Sequence, residues 1–158
     1  GSAGPLREGK GSNYEGGVRV PCLVRWPGRI PAGRTSDAIF ASLDFMPTFG
    51  ALAGYKVPTD RVIDGVDQTG LLLGRSEAGN RQTYFYGSGD HGGRKGKWKL
   101  LKPGRKPQQL RSYPKDFGTN GIELYNLDND IGEKHNLADQ HPEIVKELMQ
   151  LKLKTNNQ

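Results

Sequence analysis

The chain has 158 residues, of which 23 are Gly, 10 are Pro and one is Cys, and its formal net charge is +6. That length suits one ordinary domain or a piece of a larger one, and Leu, Ile, Val and Phe supply only about a fifth of it. No apolar run approaches the ~20 residues that span a bilayer, the N-terminus shows no apolar signal-peptide region, and a single Cys22 excludes a disulfide framework or a cysteine zinc cluster.

Residues 1–17 have no periodicity and read as a loop with six glycines. Val18 to Trp26 is β-branched and apolar between Gly17 and Pro27-Gly28, which predicts a buried strand, although Pro21 removes a ladder donor. Cys22, inside that stretch, then reads as a buried apolar residue. Ser42 to Gly54 has helical spacing, with the helix proper from Phe45, Pro47 in its first turn and Gly54 as the stop. Asp64-Gly65 is a turn and Thr69 to Leu73 one further helical turn. The polar stretch 74–82 is the best boundary in the chain.

Beyond that boundary the pattern changes to short strands, predicted at Thr83 to Tyr86, Lys97 to Lys102 and Ile122 to Leu127. Gly87 to Gly96 reads as a glycine-rich loop, and 103–120 as a long polar connection. Pro142 to Leu153 places Ile144, Val145, Leu148, Met149 and Leu151 on one stripe, with Pro142 and Glu143 suited to a helix start.

Nine of the 23 basic residues fall between His91 and Lys115, with no acid among them. Such a run either attracts a polyanion or forms the solvated face of a hairpin. Gly4 to Lys10 nearly spells a phosphate-binding P-loop. However, Gly11 stands where a magnesium-binding Ser or Thr belongs, and no strand precedes it. Asn126 to Asp130 hints at a calcium loop, but Ile131 occupies the glycine position and Leu137 the glutamate position. His91, His135 and His141 lack ligand spacing, and no Gly-x-Ser-x-Gly elbow exists.

The stretch Gly4-Pro5-Leu6-Arg7-Glu8-Gly9-Lys10-Gly11-Ser12-Asn13-Tyr14-Glu15-Gly16-Gly17-Val18-Arg19-Val20-Pro21 closely resembles the second signature region of the formylglycine-dependent sulfatases. Trp26-Pro27-Gly28 looks like that family's continuation, Asp44-Phe45-Met46-Pro47-Thr48 its next helix start, and Asp64-Gly65-Val66 its motif before the C-terminal subdomain. Gly96 to Leu100, Glu123 to Leu127, Asp130 to Ala138 and the Pro142 helix resemble the family's usual ending, with Ile131 where Pro is common. The resemblance runs through nearly the whole chain, in order.

That resemblance implies an α/β fold: residues 1–78 as the C-terminal part of an alkaline-phosphatase-like sandwich, and 79–158 as a small antiparallel sheet packed on a C-terminal helix. It implies sulfate-ester hydrolysis in the complete enzyme, where a hydrated formylglycine on calcium or another divalent cation attacks sulfur. The Cys/Ser-x-Pro-x-Arg nucleophile motif and the metal carboxylates have no counterpart here. The resemblance therefore places nucleophile and metal ligands upstream, makes this chain inactive alone, and makes the missing N-terminal part its partner. A sulfated small molecule or polysaccharide is the implied substrate, and the periplasm, lysosome or exterior the implied location. No membrane role is expected.

By the same resemblance Lys10 matches the sulfate-binding lysine, a catalytic and substrate-binding role. Its ammonium is a compact charge with three donors, suited to a tetrahedral oxyanion. Glu15 and Arg19 read as structural. His91 and Arg94, in a hairpin that often overhangs the active-site mouth in the family, are the further substrate-binding candidates. The alternatives are a basic polyanion-binding module using the 91–115 run, or a phosphonate or phosphodiester hydrolase on the same fold. Only Trp98 and Tyr113 are there to stack on bases, which disfavours nucleic acid.

Overall fold

The computed structural model describes residues 2–87, 91–102 and 121–151. In chain order the elements are α1 (Glu15–Val18), a 3-10 turn (Ser42–Asp44), α2 (Phe45–Leu52), α3 (Thr69–Leu72), β1 (Thr83–Tyr86), β2 (Gly92–Lys95), β3 (Trp98–Leu101), β4 (Glu123–Asn126) and α4 (Pro142–Gln150). Of the described residues, 2–21 and 85–151 form one compact unit and 22–84 another.

The first unit is built on a sheet of order β1-β2-β3-β4. β3 is antiparallel to both neighbours, with Lys99 opposite Arg94 on β2 and Tyr125 on β4, and Leu100 opposite Gly93 and Leu124. Alternation along the strands separates these two rows onto opposite faces. Leu100 and Leu124 lie in the core with Ala138 and Leu148, flanked by Trp98, Ile122, Ile144 and Val145. That face is covered by α4, whose Pro142 stands at the first helical positions and whose Glu143 favours the helix N-terminus. Met149, expected on the stripe, is 42 % exposed, so the buried face is narrower than its spacing implied. The other sheet face carries Arg94, Lys99, Glu123 and Tyr125, and the site is built there.

β2 is a correction to the sequence reading, which made Gly87 to Gly96 a loop. At Gly92 φ is +129°, and a Cβ would lie 2.0 Å from the Leu100 carbonyl oxygen. Glycine is required there by close approach of the paired backbone, a common reason for glycine inside a strand. The expected 103–120 connection lies outside the described residues, as does all of the basic run beyond Lys102.

In the second unit, the predicted helices are found at α2 and α3. Asp44 is fully buried, and its carboxylate accepts from the backbone N–H groups of Ala41 and Val66, both at 2.9 Å. Arg81 clamps it with Nε 2.8 Å from Oδ2 and Nη2 2.5 Å from Oδ1. Thr48 Oγ1 donates to the Asp44 carbonyl at 2.6 Å and accepts from Gln68 N–H at 2.9 Å, tying α2 to α3.

Burial works to raise the Asp44 pKa, but the Arg81 guanidinium and the two N–H donors outweigh it and hold it below the ordinary 3.8. Its stabilising contribution is therefore complete above pH ~3.8 and is lost as pH falls through the lower folded value. Amide-exchange protection of α2 should drop as pH falls below about 3.8 in the wild type, and less steeply in Asp44→Asn. Parallel profiles would show that Asp44 does not couple this unit to pH.

Val18 to Trp26 is not a strand. Val18 ends α1, no ladder includes residues 19–26 among the described residues, and Leu23 is 97 % exposed. Cys22, expected to be buried, is exposed. A β-branched run becomes a strand only against a partner edge, and this segment finds none here; Pro21 further lowers its donor capacity.

Candidate active-site loop and its anchors

The loop that carries Lys10 closes on itself. Gly16 N–H donates to the Arg7 carbonyl at 2.8 Å, and Ser12 donates to the Gly9 carbonyl through its N–H (3.2 Å) and its Oγ (3.0 Å). A Cβ on Gly16 would lie 2.3 Å from the Glu8 oxygen, and one on Gly17 2.3 Å from the Ser12 oxygen, so only glycine permits the closure. Gly11 takes φ +96°, a conformation other residues resist. Lys10 stands between Gly9 and Gly11 in this ring, exposed, with no hydrogen bond or ion pair among the described residues. The space around both flanking glycines is open.

Both ends of the ring are fastened to the polar face of the sheet. On the near side, Arg7 Nη1 donates to the Glu133 carbonyl at 2.7 Å and to Tyr125 Oη at 3.0 Å. Its guanidinium lies 4.0 Å from the centroid of the Tyr14 ring, a cation–π contact. On the far side, Tyr14 Oη donates to the Glu123 carboxylate at 2.9–3.0 Å, and Tyr125 Oη donates to the same group. Burial and the Glu123 charge push both phenols well above the ordinary tyrosine value, so both remain donors.

Glu15 completes the attachment. Lys99, fully buried, hydrogen-bonds Glu15 Oε1 at 2.9 Å and stands 2.8 Å from Glu133 Oε1, an ion-pair contact out of hydrogen-bond alignment. The Glu15 N–H donates to Glu133 Oε2 at 2.7 Å. Arg94 Nη1 and Arg19 Nη1 approach Glu15 Oε2 at 3.8 and 4.0 Å. Burial raises Glu133 above the ordinary carboxylate range, and Lys99 opposes that rise. A buried charge without such partners would be costly.

A family model described as N-sulphoglucosamine sulphohydrolase, C-terminal, matches residues 9–158. The chain belongs to the N-sulphoglucosamine sulphohydrolase C-terminal family. Among its relatives, arylsulfatase A of Homo sapiens is 37 % identical over 171 residues, covering 97 % of the chain and 33 % of its own length. Steryl-sulfatase of Mus musculus is 48 % identical over 86 residues, 54 % of the chain and 14 % of its own length. A solved structure from work on glycosaminoglycan metabolism by Bacteroides thetaiotaomicron matches with TM-score 0.76 and 31 % identity, covering 92 % of this chain and 30 % of that one. Another, in complex with its substrate D-glucosamine-2-N,6-O-disulfate, gives TM-score 0.55 and 28 % identity, covering 80 % of this chain and 26 % of that one.

The chain thus spans about a third of the length of the arylsulfatase A relatives it matches. Its fold is the α/β fold of the sulfatase C-terminal portion, with the small antiparallel sheet on its C-terminal helix. No helix among the described residues is long and apolar enough to cross a membrane.

Of the sequence-predicted residues, Lys10 lies at the exposed part of the closed loop. Arg94 is turned toward Glu15, and its Nε donates to the Gly96 carbonyl at 2.8 Å. His91 is exposed just before β2; its N–H donates to the Tyr86 carbonyl at 3.2 Å and its carbonyl accepts from Lys102. The Glu15–Arg19 pair expected to be structural is present at 4.0 Å.

Arg7, Tyr14, Lys99, Glu123, Tyr125 and Glu133 were not singled out by sequence. Their signal was that each lies in one of the quoted motifs, at distant points of the chain. Their carboxylates are committed to lysine, arginine and phenol partners, and no group of three metal-ligating side chains gathers among the described residues. These residues do not fit a calcium site.

Proposed function

We propose that this chain is the C-terminal portion of a sulfatase that hydrolyses sulfate esters, with nucleophile and metal ligands supplied by the rest of the protein. The observation that carries the reading is the closed glycine loop that presents Lys10 to solvent, with its charge uncommitted among the described residues and both loop ends anchored. On a loop anchored this way the ammonium can bring a positive charge to the oxygens of a sulfuryl group, the electrostatic stabilisation that ester cleavage requires. In the whole protein, residues 1–78 would complete the α/β domain and 79–158 the C-terminal subdomain. The cation and formylglycine would lie outside this chain, in a periplasmic, lysosomal or extracellular protein.

The polyanion-module reading is less well supported. Within the described part of the basic run, Lys99 is buried between carboxylates and Lys95 pairs with Glu147. The test of the main reading is release of inorganic sulfate by the whole protein from 4-nitrophenyl sulfate and from sulfated glucosamines. Release of phosphate or phosphonate products without sulfate would replace it with the related hydrolase reading.

His91 and Arg94 are assigned here to the recognition of a larger anionic substrate, by charge-assisted hydrogen bonds near the site mouth. Changing both to Ala should raise KM for a sulfated oligosaccharide more than for 4-nitrophenyl sulfate. Equal effects on the two substrates would remove that assignment.

A further inference from the structure

We propose that Lys99 and Tyr14 are positioning residues for Lys10: the buried ionic face of the sheet sets where the sulfate-binding charge stands. This inference rests on the sulfate-binding reading of Lys10 and deepens it. Lys10 itself is held by nothing among the described residues, so its backbone must be placed by the loop. The loop cannot relax freely, because Gly16 N–H closes it on Arg7 and two glycine contacts leave no space.

Its attachments come three residues before Lys10, at Arg7, and four and five residues after, at Tyr14 and Glu15. All three reach one small surface formed by Lys99, Glu123, Tyr125 and Glu133. Lys99 is the common member of the Glu15 half, since it contacts both Glu15 and Glu133, and the Glu15 N–H is bound to that same Glu133. A fully buried lysine between two glutamates is an expensive way to fill a sheet face that an apolar residue could cover. Its geometry instead fixes register between a loop and a sheet that are more than 80 residues apart in sequence. Small displacements of a reacting partner are known to cost large factors in rate, so the position of this loop is functionally sensitive.

The experiment is a pair of double-mutant cycles in the whole protein: Lys99→Met with Lys10→Ala, and Tyr14→Phe with Lys10→Ala. Two readouts are followed, kcat/KM on 4-nitrophenyl sulfate and the Kd of inorganic sulfate measured by calorimetry. Lys99→Met should lower kcat/KM about 10-fold or more and weaken sulfate binding. Tyr14→Phe, which deletes only the hydroxyl that donates to Glu123, should do the same to a smaller extent, roughly 3-fold. In the Lys10→Ala background each should add less than about 2-fold, because the charge they position is gone.

Full additivity in both readouts would overturn the proposal while leaving the role of Lys10 intact. Lys10→Ala with unaltered turnover and sulfate affinity would instead overturn the underlying reading of the site. If Lys99→Met does not fold, the Tyr14→Phe cycle decides alone. A Tyr14→Phe protein with wild-type turnover and sulfate affinity counts against the proposal.

Discussion

Replacing Arg81 by Met is expected to destabilise the 22–84 unit by about 3–5 kcal/mol, the usual range when one member of a buried ion pair is removed. The reason is the state in which Asp44 is left. Its side chain is fully buried, and Arg81 provides three of its hydrogen bonds and its only cationic partner among the described residues. Arg81 also donates to the carbonyls of Asp64 at 2.7 Å and Thr83 at 3.2 Å, which would lose those donors. Two N–H donors from Ala41 and Val66 remain, so Asp44 is under-satisfied rather than bare. The double variant Asp44→Asn with Arg81→Met should recover part of the loss, because no uncompensated charge stays behind. Amide exchange at Ala41 and Val66, whose N–H groups point at Asp44, gives a local reading of the effect. A loss below about 1 kcal/mol would place this pair with weak surface pairs, against its burial.

Much of the fold was legible because periodicity is a local property. The helical spacing of Phe45 to Leu52 and of Ile144 to Leu148 survives in any context, and α2 and α4 form where it predicts. The runs at Thr83 to Tyr86, around Lys99 and around Tyr125 likewise become β1, β3 and β4. What failed depends on partners that no window of sequence contains. Val18 to Trp26 has strand chemistry and no edge to join, and β2 is a strand of glycines and charges that exists because Gly92 can pass the Leu100 carbonyl.

The site shows the same division. Lys10 was picked out through its motif as an expectation, but the residues that anchor its loop were not, because Lys99 alternates with Trp98 and Leu100 as a solvated strand lysine would. It is buried by distant partners, Glu15 on the N-terminal loop 84 residues away and Glu133 beyond β4. A polar sheet face therefore cannot be equated with a solvent face when a distant charged segment complements it.

Lys10→Ala should reduce kcat/KM of the whole protein for sulfate esters on the order of 10²-fold or more, as loss of a preorganised transition-state donor does. The structure makes this a clean experiment. Lys10 is exposed and makes no hydrogen bond or ion pair among the described residues, so its truncation should change stability within about 0.5 kcal/mol. Gly9 and Gly11 carry the turn by themselves, Gly11 through its φ of +96°, and the ring closure runs through Arg7, Ser12 and Gly16. An unchanged Tm with a large loss of turnover then isolates the ammonium itself. Lys10→Arg should rescue poorly, since a planar guanidinium spreads its charge over a larger fork and reaches a tetrahedral sulfuryl group at different points. The loss should be similar for 4-nitrophenyl sulfate and for a sulfated oligosaccharide, because both share the sulfuryl group that the lysine would contact. A loss confined to the larger substrate would move Lys10 from the reacting group to the recognition of the sugar. Near-normal turnover on both, in a folded protein, would show that the charge facing the sulfuryl oxygens belongs to another residue.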